Sequence, residues 1–221
     1  MYHKKLLALF ILICCMVPAG LLAQKPLVEG VIEYNISMGT TAGGVDMAKH
    51  AGTFVITIKG KMVRKELKLD NGYESVIIYN GNTHTGYSLR ALPDGRRFAL
   101  QLSEADIAAM QAPYKDFTLN DEAGTMQLAG YTAAKAKVQY KDGHSDEIYY
   151  TREWVPAEAF TFDRYPGIKY YPLSFRYYNG EGLVMIFEAA KLAEQPVESS
   201  LFRLPPHYKI ITSEEYKTLN K

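Results

Sequence analysis

The sequence predicts a mainly β fold with few helices: a strongly curved antiparallel sheet, or incomplete β-barrel, with an aromatic lining. Three observations lead there. Segments with an apolar residue at every second position recur along the chain, which is the spacing of half-buried strands. Gly, Asn and Asp turn signals separate them at roughly 8–12 residues, the interval of sandwiches and barrels. Two stretches alone carry helix-start signals.

Residues 28–38 place Val28, Gly30, Ile32, Tyr34, Ile36 and Met38 on one face, against mostly polar Glu29, Glu33, Asn35 and Ser37. Residues 53–58 repeat the pattern, with Phe54, Ile56 and Ile58 opposite Thr53 and Thr57. After the turn Lys59-Gly60-Lys61, residues 62–70 alternate Val63, Lys65, Leu67 and Leu69 with Arg64, Glu66 and Lys68. Lys65 is a polar intruder on that apolar face. Asp70-Asn71-Gly72 turns the chain again. The next segment ends Val76-Ile77-Ile78-Tyr79, a run suited to a strand buried on both faces. Asn80-Gly81 is a hairpin signal. Strands over 83–89 and 97–102 follow, with Asp94-Gly95 between them.

Ser103-Glu104-Ala105-Asp106 opens a helix, with Ser103 as N-cap and acids in the first turn where the dipole favours them. It runs until Pro113. Strands resume near Met126, and further ones are expected over 147–151, 173–178 and 183–192, the last two joined at Asn179-Gly180. Pro205-Pro206 closes the sheet region. Thr212 and Glu215 have capping-box spacing and start a C-terminal helix.

Residues 128–143, LAGYTAAKAKVQYKDG, are rich in Ala and Lys and resemble a helix in composition. Their spacing says otherwise. Thr132, Ala134, Ala136, Val138 and Tyr140 form one face, and Lys135, Lys137 and Gln139 the other. No apolar stripe at three-four spacing exists. Propensity is a weak prior, so the segment is read as a strand.

The N-terminus has the layout of a secretory signal peptide: basic His3, Lys4 and Lys5, an unbroken apolar run over 6–17, then Pro18, Ala19, Gly20 and a small residue at Ala23. The run is too short for a membrane anchor. Cys14 and Cys15 do not follow a small residue, so lipid attachment is not expected. Residues 1–23 are therefore taken as a cleaved signal and 24–221 as a single domain, with no transmembrane span after cleavage and the periplasm as destination. The formal charge of +1 becomes −1 once Lys4 and Lys5 leave. Such a chain lacks the basic footprint of a nucleic-acid binder. Both cysteines leave with the signal, so stability rests on a core and not on disulfides.

Four segments carry a family likeness: ITIKGKMVRKE (56–66), MQLAGYTAAKAKVQYKDG (126–143), YPGIKYY (165–171) and LFRLPPHYK (201–209). In this order they resemble uncharacterised exported bacterial proteins related to the LolA/LolB lipoprotein carriers. The resemblance implies a LolA-like incomplete β-barrel wrapped around one or more helices, with an apolar cavity between sheet and helices. It further implies a hydrophobic ligand or lipoprotein acyl chain as partner. The chain departs from the carriers at the turn after the second strand: Gly60-Lys61 stands where they have Arg-Pro, and Arg64 follows three residues beyond. Arg64 is thus the nearest counterpart of the carriers' cavity arginine, without matching its position.

No catalytic signature emerges. His50, His84, His144 and His207 lack metal-ligand spacing. Ser199-Ser200 has no nucleophile elbow, and Asp146-Glu147 point opposite ways on a strand. Asp70-Asn71-Gly72 and Asp142-Gly143 lack calcium-loop spacing. No enzyme and no cofactor are expected. Two function classes stay open. One is a non-enzymatic envelope protein that binds a lipid or other hydrophobic ligand in a cavity lined by Ile32, Tyr34, Ile36, Phe54, Ile56, Ile58, Arg64, Ala134 and Ala136. The other is a structural component of the envelope that meets a protein partner through a Tyr-rich surface. Tyr supplies 17 of the aromatic residues and clusters at Tyr149-Tyr150, Tyr165, Tyr170-Tyr171 and Tyr177-Tyr178.

Overall fold

The computed structural model describes residues 24–40, 49–91, 95–178 and 182–219. The expected leader (residues 1–23), Asp94 and the expected Asn179-Gly180 turn lie outside the described residues.

In chain order the strands are β1 (Lys25–Leu27), β2 (Glu29–Thr40), β3 (Lys49–Lys59), β4 (Met62–Leu69), β5 (Glu74–Asn80), β6 (Thr85–Ala91) and β7 (Arg97–Leu102). Helix α1 (Glu104–Gln111) follows, then β8 (Thr118–Leu128), β9 (Tyr131–Gln139), β10 (Ser145–Thr151), β11 (Trp154–Pro156), β12 (Tyr171–Tyr178) and β13 (Leu183–Glu194). The short β14 (Lys209–Ile211) and helix α2 (Ser213–Leu219) end the chain. Twelve strands make one curved, unclosed sheet in the order β14-β7-β6-β5-β4-β3-β2-β13-β12-β10-β9-β8. All pairings are antiparallel except β14 with β7. β1 and β11 form a small parallel pair beside it.

The fold class and most strand positions agree with the periodicity. Three differences have physical reasons. β8 begins at Thr118, eight residues before the expected start near Met126. Its first part is largely exposed and polar, so no alternation marks it, and its pairing with β9 is interrupted between Asp121 and Thr125. β1, β11 and β14 are three residues each, too short for any period to show. Third, the inward face of β9 is irregular. Ala136, Val138 and Tyr140 are buried as expected, but Ala134 is half-buried, Thr132 is exposed and Ala133 is fully buried. Tyr131 shares the Ala133 face of the strand, and its hydroxyl accepts from Trp154 Nε1 at 3.1 Å. The β11 segment thus reaches that face too.

Both helices begin on the expected caps. Ser103 Oγ accepts from Asp106 N (3.2 Å) while Asp106 Oδ2 accepts from Ser103 N (2.8 Å). Thr212 and Glu215 make the same reciprocal pair at α2.

The register places the core. Tyr34 faces Phe54, Ile56 faces Lys65, Val63 faces Tyr79, and Ile36 faces Phe187 across adjacent strands. These inner-face residues are covered at one end by α1, where Ile107 packs with Tyr79, Leu102 and Phe160. Over the rest lies the loop after β11, through Phe162, Tyr165 and Ile168. On the outer face Ile78, Leu89 and Ala99 pack under Phe202, Leu204 and Tyr208 from the C-terminal segment. The 76–79 run is therefore covered on both faces, as its composition predicts. Among the described residues, no helix is long and apolar enough to cross a membrane.

Candidate ligand pocket

The inner face is not filled everywhere. Phe54 from β3, Leu67 from β4, Phe175 and Tyr177 from β12, and Phe187 from β13 form one wall of a half-open pocket of about 220 Å³. Thr161, Phe162, Asp163, Arg164 and Tyr165 form the other. Strand alternation explains the first wall, since these side chains all fall on the inner side of the pleat. A 3-10 turn over Ala159–Thr161 starts the second. Glu158 caps it through its Oε1, which accepts from Phe160 N.

The wall is built from aromatic rings in contact. Phe175 and Phe187 stack, and Phe54 meets Phe187 edge-on at 5.6 Å. Phe162 and Tyr165 both present edges to Phe175. Beneath them Tyr34 packs against Phe54 and Phe175, and its hydroxyl donates to the Pro172 carbonyl at 2.7 Å. Such arrangements match the quadrupoles of the rings and hold them rigidly.

One side of the pocket is polar. Lys65 is 4% exposed, and its ammonium pairs with the Asp163 carboxylate and sits 3.7 Å from the centre of the Phe160 ring. Burial pushes the Lys65 ammonium below its ordinary range, and Asp163 offsets this only in part. Arg164 lies between the rings of Tyr114 and Tyr177, at 5.0 and 4.8 Å. Its Nη1 donates to the Arg176 carbonyl, and its buried Nε has no acceptor. Deeper in, Asp146 accepts from the Tyr140 hydroxyl, and its carboxylate is 3.8 Å from Arg164 Nη2.

The residues singled out in the sequence divide into three groups. Phe54 lines the pocket and Tyr34 supports it from below. Ile32, Ile36, Ile56 and Ile58 are fully buried and serve as close-packed core. Ala134 and Ala136 belong to the same core at the β9 end, where Phe117 packs between Tyr140 and Tyr165. Arg64 lies on the opposite face of β4, bonded to Glu66 and to the Leu201 carbonyl, and does not reach the pocket. Its neighbour Lys65 does. The odd residue on the apolar face of β4 was the signal for it. Phe175 and Phe187 lie in strands legible from the sequence, but nothing there marks them as a pair. The 159–165 loop has no periodicity at all.

The tyrosine clusters also divide. Tyr150, Tyr165 and Tyr171 are buried, because they fall on inward positions or under the loop. Tyr177 and Tyr178 are the exposed members, at the end of β12. A broad Tyr-rich surface is therefore not what the clusters form. The four histidines among the described residues sit at separate places: His50 by Asp70, His84 by Tyr79, His144 by Asp142 and His207 by Arg97. No group of three potential metal ligands occurs among the described residues.

No family model matches the chain, and no curated protein matches its sequence. Several solved structures are similar in outline, among them the following three. PNGF-II is 12% identical, with a TM-score of 0.46 over 86% of this chain and 32% of its own. This chain thus spans about a third of PNGF-II. MucB, in complex with MucA(peri), is 18% identical with a TM-score of 0.40, over 83% of this chain and 57% of its own. A putative outer membrane lipoprotein-sorting protein domain from Vibrio parahaemolyticus is 8% identical with a TM-score of 0.37, over 81% of this chain and 91% of its own. All three likenesses are distant.

Proposed function

We propose that this chain is an exported, non-enzymatic binding protein of the bacterial envelope that seats a hydrophobic group in the aromatic pocket. The leader-like residues 1–23 support export. The pocket carries the binding reading: six rings and Leu67 face an opening that the protein's own side chains leave unfilled. A concave apolar site with a few convergent polar groups is the usual form of a small-molecule site.

Its size limits the ligand. At about 220 Å³ it lies below the roughly 300–1,000 Å³ of sites for drug-sized ligands. That fits one ring or a short alkyl tail. A long lipoprotein acyl chain would enter only in part.

Toluene has the right size and no charge. In an NMR titration of the mature chain it should give saturable shifts at Phe54, Leu67, Phe175 and Phe187. The variant Leu67→Trp, which fills the space, should abolish them. An absence of saturable shifts in the parent protein, or shifts that survive Leu67→Trp, would remove the proposal.

A further inference from the structure

We infer that the ligand is a small monoanionic amphiphile, with its apolar tail among Phe54, Leu67, Phe175 and Phe187 and its carboxylate held by Lys65 and Arg164; this rests on the binding role proposed above.

Three charged side chains stand in the pocket wall, and two of them are cations. Lys65 is buried on the strand side and Arg164 stands on the loop side, so the cations belong to opposite walls. Asp163 satisfies one direction of the Lys65 ammonium, which has three protons to donate. Arg164 is less well served. A guanidinium has five N–H donors. One goes to the Arg176 carbonyl, Asp146 stands 3.8 Å from Nη2, beyond hydrogen-bond reach, and buried Nε has no acceptor. Asp146 lies behind the wall and is engaged by the Tyr140 hydroxyl. A buried donor without an acceptor is costly, and an anionic oxygen is its strongest partner.

Charge selects the head group. The wall groups Lys65, Arg164 and Asp163 sum to one positive charge and Asp146, paired with Arg164 from behind the wall, brings the set to zero, so the site accepts no more than a single negative charge. A carboxylate carries one. A phosphate monoester carries about 1.5 to 2 near neutral pH and overshoots. A cationic head would face Lys65 and Arg164 at short range in a water-poor site. Size selects a short tail, since the pocket is smaller than sites for drug-sized ligands.

The test compares four ligands with one tail: octanoate, octanol, octylamine and octyl phosphate, titrated calorimetrically into the mature chain. Octanoate should bind about tenfold or more tightly than octanol, the margin expected of a charge-assisted hydrogen bond. Octyl phosphate should bind less tightly than octanoate, and octylamine most weakly. Arg164→Gln and Lys65→Met, checked for folding by thermal unfolding, should each reduce the octanoate margin over octanol and leave octanol binding within about twofold. If octanol or octylamine equals octanoate in the parent protein, the inference falls while the binding role stands. Octyl phosphate binding tightest would overturn the carboxylate assignment. If none of the four binds, and toluene does not either, both readings fall together.

Discussion

Phe175 on β12 and Phe187 on β13 are direct cross-strand partners whose rings stack 4.7 Å apart, with planes within 7° of parallel. The pair is at once part of the sheet's core and the back wall of the pocket. Packing and binding therefore draw on the same two side chains.

Their coupling is measurable. Phe187→Ala should cost about 3 kcal/mol, the low end for a buried Phe because one side already borders open space. A double-mutant cycle with Phe175→Ala should show a coupling of about 0.5–1.5 kcal/mol beyond area loss. Chemical denaturation of the four proteins reads this out. Strict additivity would mean the stacking is incidental.

The Lys65–Asp163 pair should respond unequally to loss of either partner. Lys65→Met removes a buried cation and leaves a carboxylate that water can reach, since the Asp163 side chain is 26% exposed against 5% for Lys65. Asp163→Asn strands the buried ammonium and should cost about 3 kcal/mol or more. Lys65→Met should cost clearly less. The pH dependence has a sign. The folded state lowers the Lys65 pKa below 10.5, so over that interval the unfolded chain holds more protons. Stability contributed by this group therefore rises with pH up to the ordinary lysine value. Asp163→Asn should widen the interval. Equal losses from the two substitutions, in urea titrations at neutral pH, would contradict this account.

Alkaline pH acts in the opposite direction through tyrosine. Burial raises the pKa values of Tyr34, Tyr140, Tyr165 and Tyr171 above the ordinary 10.0. Above pH 10 the unfolded chain releases these protons and the folded chain keeps them. Stability is thus complete below pH 10 and declines above it, by about 1.4 kcal/mol per pH unit for each such group. Phenolate absorbance from the buried rings should appear in one cooperative step with loss of the β-sheet circular dichroism signal. Gradual ionisation within an intact fold would show that these hydroxyls are not sealed.

Gly30 tests the junction between the two halves of the sheet. A Cβ there would stand 2.3 Å from the Ala193 carbonyl oxygen on β13. Gly30→Ala must move backbone and should cost about 1–3 kcal/mol, as overpacking does. It should also speed hydrogen exchange along both β2 and β13. Gly143→Ala is the contrast: its φ of +93° brings strain, but nothing lies within 4 Å, so its effect should stay in the β9–β10 turn. Unchanged exchange in Gly30→Ala would refute the close approach.

The fold was legible where burial is one-sided. β2, β3 and β4 each put a single face into the core, and so each shows a period of two. β8 lies at an edge with both faces wet, and its sequence shows none. The pocket was legible only in fragments. Phe54 and the misplaced-looking Lys65 announced themselves by register, whereas Asp163, Arg164 and Tyr165 sit in a loop whose position depends on long-range packing. Arg64 misleads because its neighbour in the chain, one residue on, faces the other way. The isoleucines on the same face as Phe54 lie too deep to line anything.

An open sheet has two ends at which a second copy can add its own strand, and repetition of that step gives a fibre. Here both ends work as terminators. β14 offers three residues before α2 begins. At the other end the backbone of β8 breaks step between Asp121 and Thr125, with Gly124 at φ +124° and two adjacent acids, Asp121 and Glu122, on the interrupted stretch. An incoming strand would find no straight row of partners there. The irregularity that hid β8 from the sequence pattern thus also interrupts the edge along which a further strand would pair.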